Sequence, residues 1–209
     1  MISFVESHRI NEFIRWLICI EEGEMLVGVV ALQGDFETHQ KALSDIGIES
    51  VQIRRIEDGQ RLKPDAYIVP GGESSTIDLL GRRYGIHTLL TEEAKAGKIL
   101  FGTCAGAIWI GRGTHHKVTP LELIDVEVER NAYGRQVDSH IAPIEIKGLD
   151  TPFDAVFIRA PIFRRIGKGV EVLASHQNDP VLVRKGNIWL ATFHPERTAD
   201  RRLHKLIFG

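Results

Sequence analysis

The chain has 209 residues, 26% charged and 43% hydrophobic, with a formal net charge of −2. That balance belongs to a soluble globular domain long enough to bury a substantial core. It gives no electrostatic basis for binding nucleic acid or an anionic membrane. The basic clusters Arg54-Arg55, Arg82-Arg83, Arg164-Arg165 and Arg201-Arg202 are pairs rather than stripes. They read as solvated faces or local ion pairs. The two cysteines, Cys19 and Cys104, make neither a disulfide framework nor a metal-ligand spacing, which fits a reducing cytoplasm.

Residues 1–24 stand apart as an N-terminal extension to a domain expected over 25–209. The apolar run FIRWLICI is too short to span a bilayer and is interrupted by Arg15. It also lacks the layout of a signal peptide. The segment is either an extension packed as an amphipathic helix or an upstream start before Met25.

From Met25 the pattern alternates strand and helix. LVGVVALQ (26–33) is a continuous β-branched run, as expected of a strand buried on both faces. Asp35 is placed to cap a helix that runs to about Ile46 and stops at Gly47. ESVQIRRI (49–56) and DAYIVP (65–70) read as strands, the second ending at Pro70-Gly71-Gly72. Helices are expected over 74–83 and 86–96, then a strand KILFGT (98–103) that runs into Cys104 and a further helix start. From about residue 121 short strand-like runs follow one another: LELIDVEVER, QVDSHIAPIEI, AVFIRAP, VEVLASH, PVLVRKG and NIWLATF. ADRRLHKLIF reads as a closing helix. The expected fold class is α/β: a three-layer, mostly parallel central sheet with helices on both faces and added antiparallel strands. Ligands in such folds bind beyond the carboxyl ends of the strands. Gln33-Gly34, Gly71-Gly72, Cys104 and Phe193-His194 all fall there.

Gly102-Thr103-Cys104-Ala105-Gly106 has the form of a strand-to-helix elbow with cysteine as nucleophile. Flanking residues with little or no side chain relieve the crowding of so tight a turn. The following helix puts its positive end under the sulfur, and the Ala105 N–H is placed to meet an oxyanion. A thiolate needs a partner that takes and returns a proton. Of nine histidines, His194 is singled out by ATFHPE: Glu196, two residues on, can orient its imidazole. His8, His39, His87, His115, His116 and His204 read as surface or core polar residues. A structural zinc site would want four ligands with a close pair among them, so no metal is expected. PGGESST (70–76) lacks the ending of a phosphate loop. It suits an oxyanion hole in which the Gly72 and Ala105 N–H groups converge, with Ser and Thr capping the next helix.

GTCAG with a later HPE resembles the class I, triad-type glutamine amidotransferases. ALQGD (31–35), PGGESS (70–75), VERNAYGRQ (128–136), FIRAP (157–161) and FHPE (193–196) narrow the resemblance to the glutaminase subunits of pyridoxal 5′-phosphate synthase. It runs from Met25 to near the C-terminus. It implies catalysis by Cys104, His194 and Glu196 through a glutamyl thioester, releasing glutamate and ammonia from L-glutamine without a cofactor. It implies glutamine contacts at Gly72, Glu73, Ser74, Arg130, Ile158 and Arg159, and a role for Gln33 in holding the oxyanion loop. It also implies a partner, a barrel-shaped synthase subunit that receives the ammonia, on which activity depends. Residues 1–24 depart from the family pattern, and Ser75 stands where Thr is frequent. Two rival readings remain at this level. One is a glutaminase serving another acceptor, such as imidazole glycerol phosphate synthesis, which would not call for VERNAYGRQ or GGESS. The other is a stress- or redox-type α/β protein, which would not need HPE.

Overall fold

The computed structural model describes residues 25–113, 115–130 and 139–209. The extension 1–24 and residues 131–136 of the VERNAYGRQ motif lie outside them. A seven-stranded sheet has the order β2-β1-β3-β4-β11-β10-β9. Its parallel part is β1 (Leu26–Val30), β2 (Glu49–Ile53), β3 (Ala66–Val69), β4 (Ile99–Thr103) and β11 (Ile188–Ala191). Antiparallel β10 (Asp179–Lys185) and β9 (Glu171–His176) extend one edge. Two antiparallel pairs sit outside this sheet: β5 (Val126–Glu129) with β8 (Ile162–Ile166), and β6 (His140–Ile144) with β7 (Phe153–Phe157). The expected α/β class is the one observed.

Strand side chains alternate between two buried layers, the period-2 pattern of a sheet covered on both faces. Val27, Val29, Ala66, Ile68 and Phe101 face a core built with Leu43, Phe153, Phe193, Leu203 and Phe208. That layer holds α1 (Phe36–Ser44), α6 (Arg202–Phe208) and the β6–β7 pair. Val30, Tyr67, Val69 and Leu100 face the other core, with Ile77, Leu90, Trp109 and Phe163. There lie α3 (Ser74–Arg83), α4 (Ile86–Lys95), α5 (Ala105–Ile110) and the β5–β8 pair.

Two elements escape the sequence pattern. ESVQIRRI is strand only to Ile53, because Arg55 starts α2 (Ile56–Leu62). Asp58 accepts from the Arg54 and Arg55 N–H groups and closes that helix start. Strand β8 (IFRRI) has no turn signal of its own after Pro161. The arginine pairs behave as local charges: Arg82 meets Asp78, Arg164 Glu129, Arg165 Asp125, Arg201 Asp45 and Arg202 Asp200.

Register fixes where the chemistry emerges. Val69 aligns with Gly102 and Ala191 with Thr103. β3, β4 and β11 therefore end at one level, and the turn at 70–73, Cys104 and His194 leave the sheet side by side. No helix of the described residues is long and apolar enough to cross a membrane.

Candidate active site

Cys104 sits between β4 and α5 with φ 48° and ψ −106°. A non-glycine residue at positive φ carries backbone strain, which the surrounding structure must enforce. The Cys104 N–H is anchored on the Ala191 carbonyl at 2.9 Å, tying the elbow to β11. The flanking glycines admit close packing. A Cβ on Gly106 would lie 2.8 Å from the Val69 carbonyl carbon, and one on Gly102 would lie 2.9 Å from the Gly106 carbonyl carbon. Only bare backbone lets α5 press against β3 and leave the thiol above it.

Cys104 is 8% exposed and faces a cavity of about 440 Å³. Its Sγ lies 3.9 Å from the Ile158 carbonyl oxygen. The cavity is also lined by Gly72, Glu73, Ser74, Ala105, Arg130, Ile158, Arg159 and His194, so all the substrate and oxyanion positions read from the sequence come together there. Asp35, Ile108, Ser139 and Arg197 complete its wall.

His194 leaves β11 with its N–H on the Val156 carbonyl, 2.8 Å away. Its Nδ1 lies 2.6 Å from Glu196 Oε1, across a 3₁₀ turn, Pro195–Arg197. Burial resists a charge on this ring, but the Cys104 sulfur and the Glu196 carboxylate on either side outweigh it and raise its pKa to about 10. Glu196 is itself 1% exposed. Burial opposes its charge; His39 and His194 prevail and hold it down to about 2.

The glycine turn is clasped from β1. Gln33 Oε1 accepts from the Glu73 N–H at 2.6 Å, and the Asp35 N–H donates to the Gly71 carbonyl at 3.1 Å. Gly34 takes φ 97° where a Cβ would collide with the Gly71 carbonyl, so glycine is required by both conformation and space. Gly71 in turn lies against the His194 ring.

Two capping expectations are corrected. Asp35 makes no side-chain cap to α1. It pairs with Arg197 instead, Oδ2 to Nε at 3.0 Å and Oδ1 to Nη2 at 2.6 Å, at the cavity rim. The cap of α3 is Glu73 rather than Ser or Thr. Its Oε2 accepts from the Thr76 N–H at 2.8 Å and from the Ser75 and Thr76 hydroxyls. Burial costs Glu73 something, but these donors bring its pKa down to about 2. Its other oxygen meets Arg130 Nη2 at 2.6 Å. Arg159, exposed and at φ 46° on the β7–β8 turn, makes no ion pair with a described residue.

Asp35, His194 and Glu196 bring three potential ligand atoms within 4.8 Å of one another. Those atoms are already engaged by the His194–Glu196 and Asp35–Arg197 contacts, which suits orientation of a ring rather than an ion. Sequence reading missed His39 and His204. Both are fully buried. His39 Nε2 lies 3.3 Å from Glu196 Oε2. The apolar spacing around His39 on α1 was the available signal: it lies one helical turn before the buried Ala42-Leu43.

A match to the family model described as the SNO glutamine amidotransferase family covers residues 29–208. The chain belongs to this family. Curated members named "Pyridoxal 5'-phosphate synthase subunit PdxT" include one from Thermus thermophilus, 51% identical over 86% of this chain and 94% of that protein. Others come from Mycobacteroides abscessus, at 46% over 87% and 94%, and Thermosipho africanus, at 41% over 87% and 96%. A solved structure titled "Crystal structure of glutamine amidotransferase" is 49% identical, covers 87% of this chain and 96% of its own, and superposes with TM-score 0.81. A structure of PurLQS from Thermotoga maritima, 17% identical with TM-score 0.64 over 88% and 97%, shares the fold of this SNO-family chain.

Proposed function

We propose that this SNO-family chain hydrolyses L-glutamine to L-glutamate and ammonia as the glutaminase subunit of pyridoxal 5′-phosphate synthase. The observation that carries the reading is Cys104 at a strained elbow on the cavity wall, with the buried His194–Glu196 contact beside it at 2.6 Å. The relatives' names supply the acceptor pathway.

Cys104 Sγ attacks the δ-carbon of the glutamine side chain, forming a C–S bond. The carbonyl oxygen takes the electron pair and is met by the Gly72 and Ala105 N–H groups. His194, charged when flanked by sulfur and carboxylate, gives its proton to the amide nitrogen; the C–N bond breaks and ammonia leaves. Water then attacks the glutamyl thioester while His194 takes its proton. The C–S bond breaks, and glutamate departs. Glu196 holds the Nδ1–H tautomer throughout, leaving Nε2 for the chemistry. Glutamine's α-ammonium fits Glu73, and its α-carboxylate fits the guanidinium of Arg130 or Arg159. Substrate thus replaces one half of the Glu73–Arg130 pair with its own opposite charge. Ser74 and the Ile158 carbonyl border the amide end.

The ammonia passes to a barrel-shaped synthase subunit. Ammonia released to water at neutral pH is mostly protonated and no nucleophile, so a closed handover has a physical reason. No cofactor takes part in the glutaminase step, and the pair works in the cytoplasm. Glutamate release from glutamine, measured with and without the synthase subunit, tests the reading. Release that depends on the synthase and is abolished in Cys104→Ser supports it. Release stimulated only by another acceptor enzyme, or unchanged in Cys104→Ser, overturns it.

A further inference from the structure

Below Glu196, on the side away from the cavity, two histidines from opposite ends of the domain meet. His39 comes from α1 and His204 from α6; both are 0% exposed. His39 Nδ1 lies 3.2 Å from His204 Nε2. His39 Nε2 lies 3.2 Å from Thr103 Oγ1 and 3.3 Å from Glu196 Oε2. Both rings stand edge-on to Phe101, at 6.3 and 6.4 Å between centroids. The contact to Oε2 is long and poorly aligned for a hydrogen bond, yet that oxygen has no better partner among the described residues.

The protons can be counted. Burial lowers the pKa of His39, and lowers that of His204 to about 3, so each neutral ring carries one N–H. An ionised Glu196 only accepts, so the His39 proton sits on Nε2, facing Oε2 and Thr103. His39 Nδ1 is then a bare acceptor, and its hydrogen comes from His204 Nε2–H. That leaves His204 Nδ1 without a proton, and this nitrogen has no partner among the described residues. An orphaned lone pair is the cheaper orphan to bury than an orphaned N–H. One tautomer assignment therefore gives each contact from His204 to His194 a donor facing an acceptor, with His204 Nδ1 the nitrogen left over.

We propose that His39, latched by His204, is a positioning residue for Glu196: its Nε2–H, anchored beside Thr103, faces Oε2 at 3.3 Å so that Oε1 alone addresses His194 and the carboxyl stays ionised. The proposal rests on the glutaminase reading above. The other charged groups near the pair are Asp35, held by Arg197, and Arg201, whose Nη1 is 3.4 Å from the Glu196 carbonyl and whose Nε is paired with Asp45.

The test follows glutamate release against pH in the assembled synthase complex. Cys104→Ala comes first, since turnover without the thiol would defeat the glutaminase reading and this proposal with it. With that variant inactive, His39→Leu is expected to lower kcat roughly 10- to 100-fold with KM within about twofold. Its acidic limb of kcat/KM should move up by about one pH unit, because Glu196 loses a donor to its charged form. His39→Gln keeps an N–H near the Nε2 position and should restore the limb. His204→Phe leaves His39 in place but unlatches its tautomer, and should move the limb the same way by less; it serves if His39→Leu does not fold. Limbs unmoved in His39→Leu and His204→Phe, or a His39→Gln no better than His39→Leu, overturn the proposal while leaving the glutaminase reading intact.

Discussion

Replacing Gly71 by alanine perturbs the site through a single methyl group. Gly71 does not have a positive φ, so alanine suits its backbone. The new Cβ would stand 3.0 Å from His194 Nδ1 and 3.2 Å from Nε2, and closer still to Cε1. Relaxed contacts between such atoms are about 3.5–4.0 Å, so the ring or the turn must give way by about 1 Å. The ring is held on its other side by Glu196 at 2.6 Å, and the turn by Gln33 at 2.6 Å. Displacement of a catalytic group by about 1 Å can cost on the order of 100-fold in rate. Gly71→Ala is therefore expected to lower kcat by about two orders of magnitude with little change in thermal midpoint. Steady-state glutamate release in the synthase complex, alongside a melting curve, reads both. A kcat within about threefold of the native enzyme would refute the claim that this turn fixes the imidazole.

Further outcomes follow from other contacts. His194→Asn should lower turnover far more than Glu196→Gln, because in the proposed mechanism the ring moves protons and the carboxylate only orients it; equal losses in single-turnover assays would contradict that division. The stability linked to the His194–Glu196 pair should depend on pH at both ends. Glu196, depressed from 4.5 to about 2, contributes above pH 4.5 and loses its share as pH falls toward 2. His194, raised from 6.5 to about 10, contributes fully below pH 6.5 and loses its share as pH rises through 10. The difference in melting temperature between the native chain and Glu196→Gln should thus be widest between about pH 4.5 and 6.5, and a difference flat with pH would count against the pair. Behind the cysteine helix, Asp78 accepts from the buried Trp109 Nε1–H at 2.8 Å and from the Thr119 N–H at 3.0 Å. Asp78→Ala orphans both donors and should cost about 2–3 kcal/mol in urea unfolding; a loss below about 0.5 kcal/mol would show that water or a rearrangement replaces them.

The central fold was legible because buried parallel strands are continuous apolar runs with glycine-rich ends. The runs of β1, β3 and β4 stood out on that signal, and their ends marked the site. Cys104 and His194 could be paired from local chemistry, since a nucleophile between glycines and His-Pro-Glu are both unusual in a core. What stayed hidden depends on partners distant in sequence. Asp35 looks like a cap until Arg197, 162 residues on, takes both its oxygens. Glu73 becomes the helix cap because Ser75, Thr76 and Arg130 converge on it. His39 and His204 lie 165 positions apart, and no local pattern distinguishes a ring behind the Glu196 carboxylate from an ordinary buried histidine.

The most direct measurement is intact-protein and peptide mass spectrometry after treatment of the synthase complex with an electrophilic glutamine analogue. One equivalent of label on Cys104, prevented by excess L-glutamine and absent from His194→Asn under the same exposure, is the expected result. Label distributed over other side chains, or unaffected by glutamine, would contradict a thiol activated within a glutamine pocket.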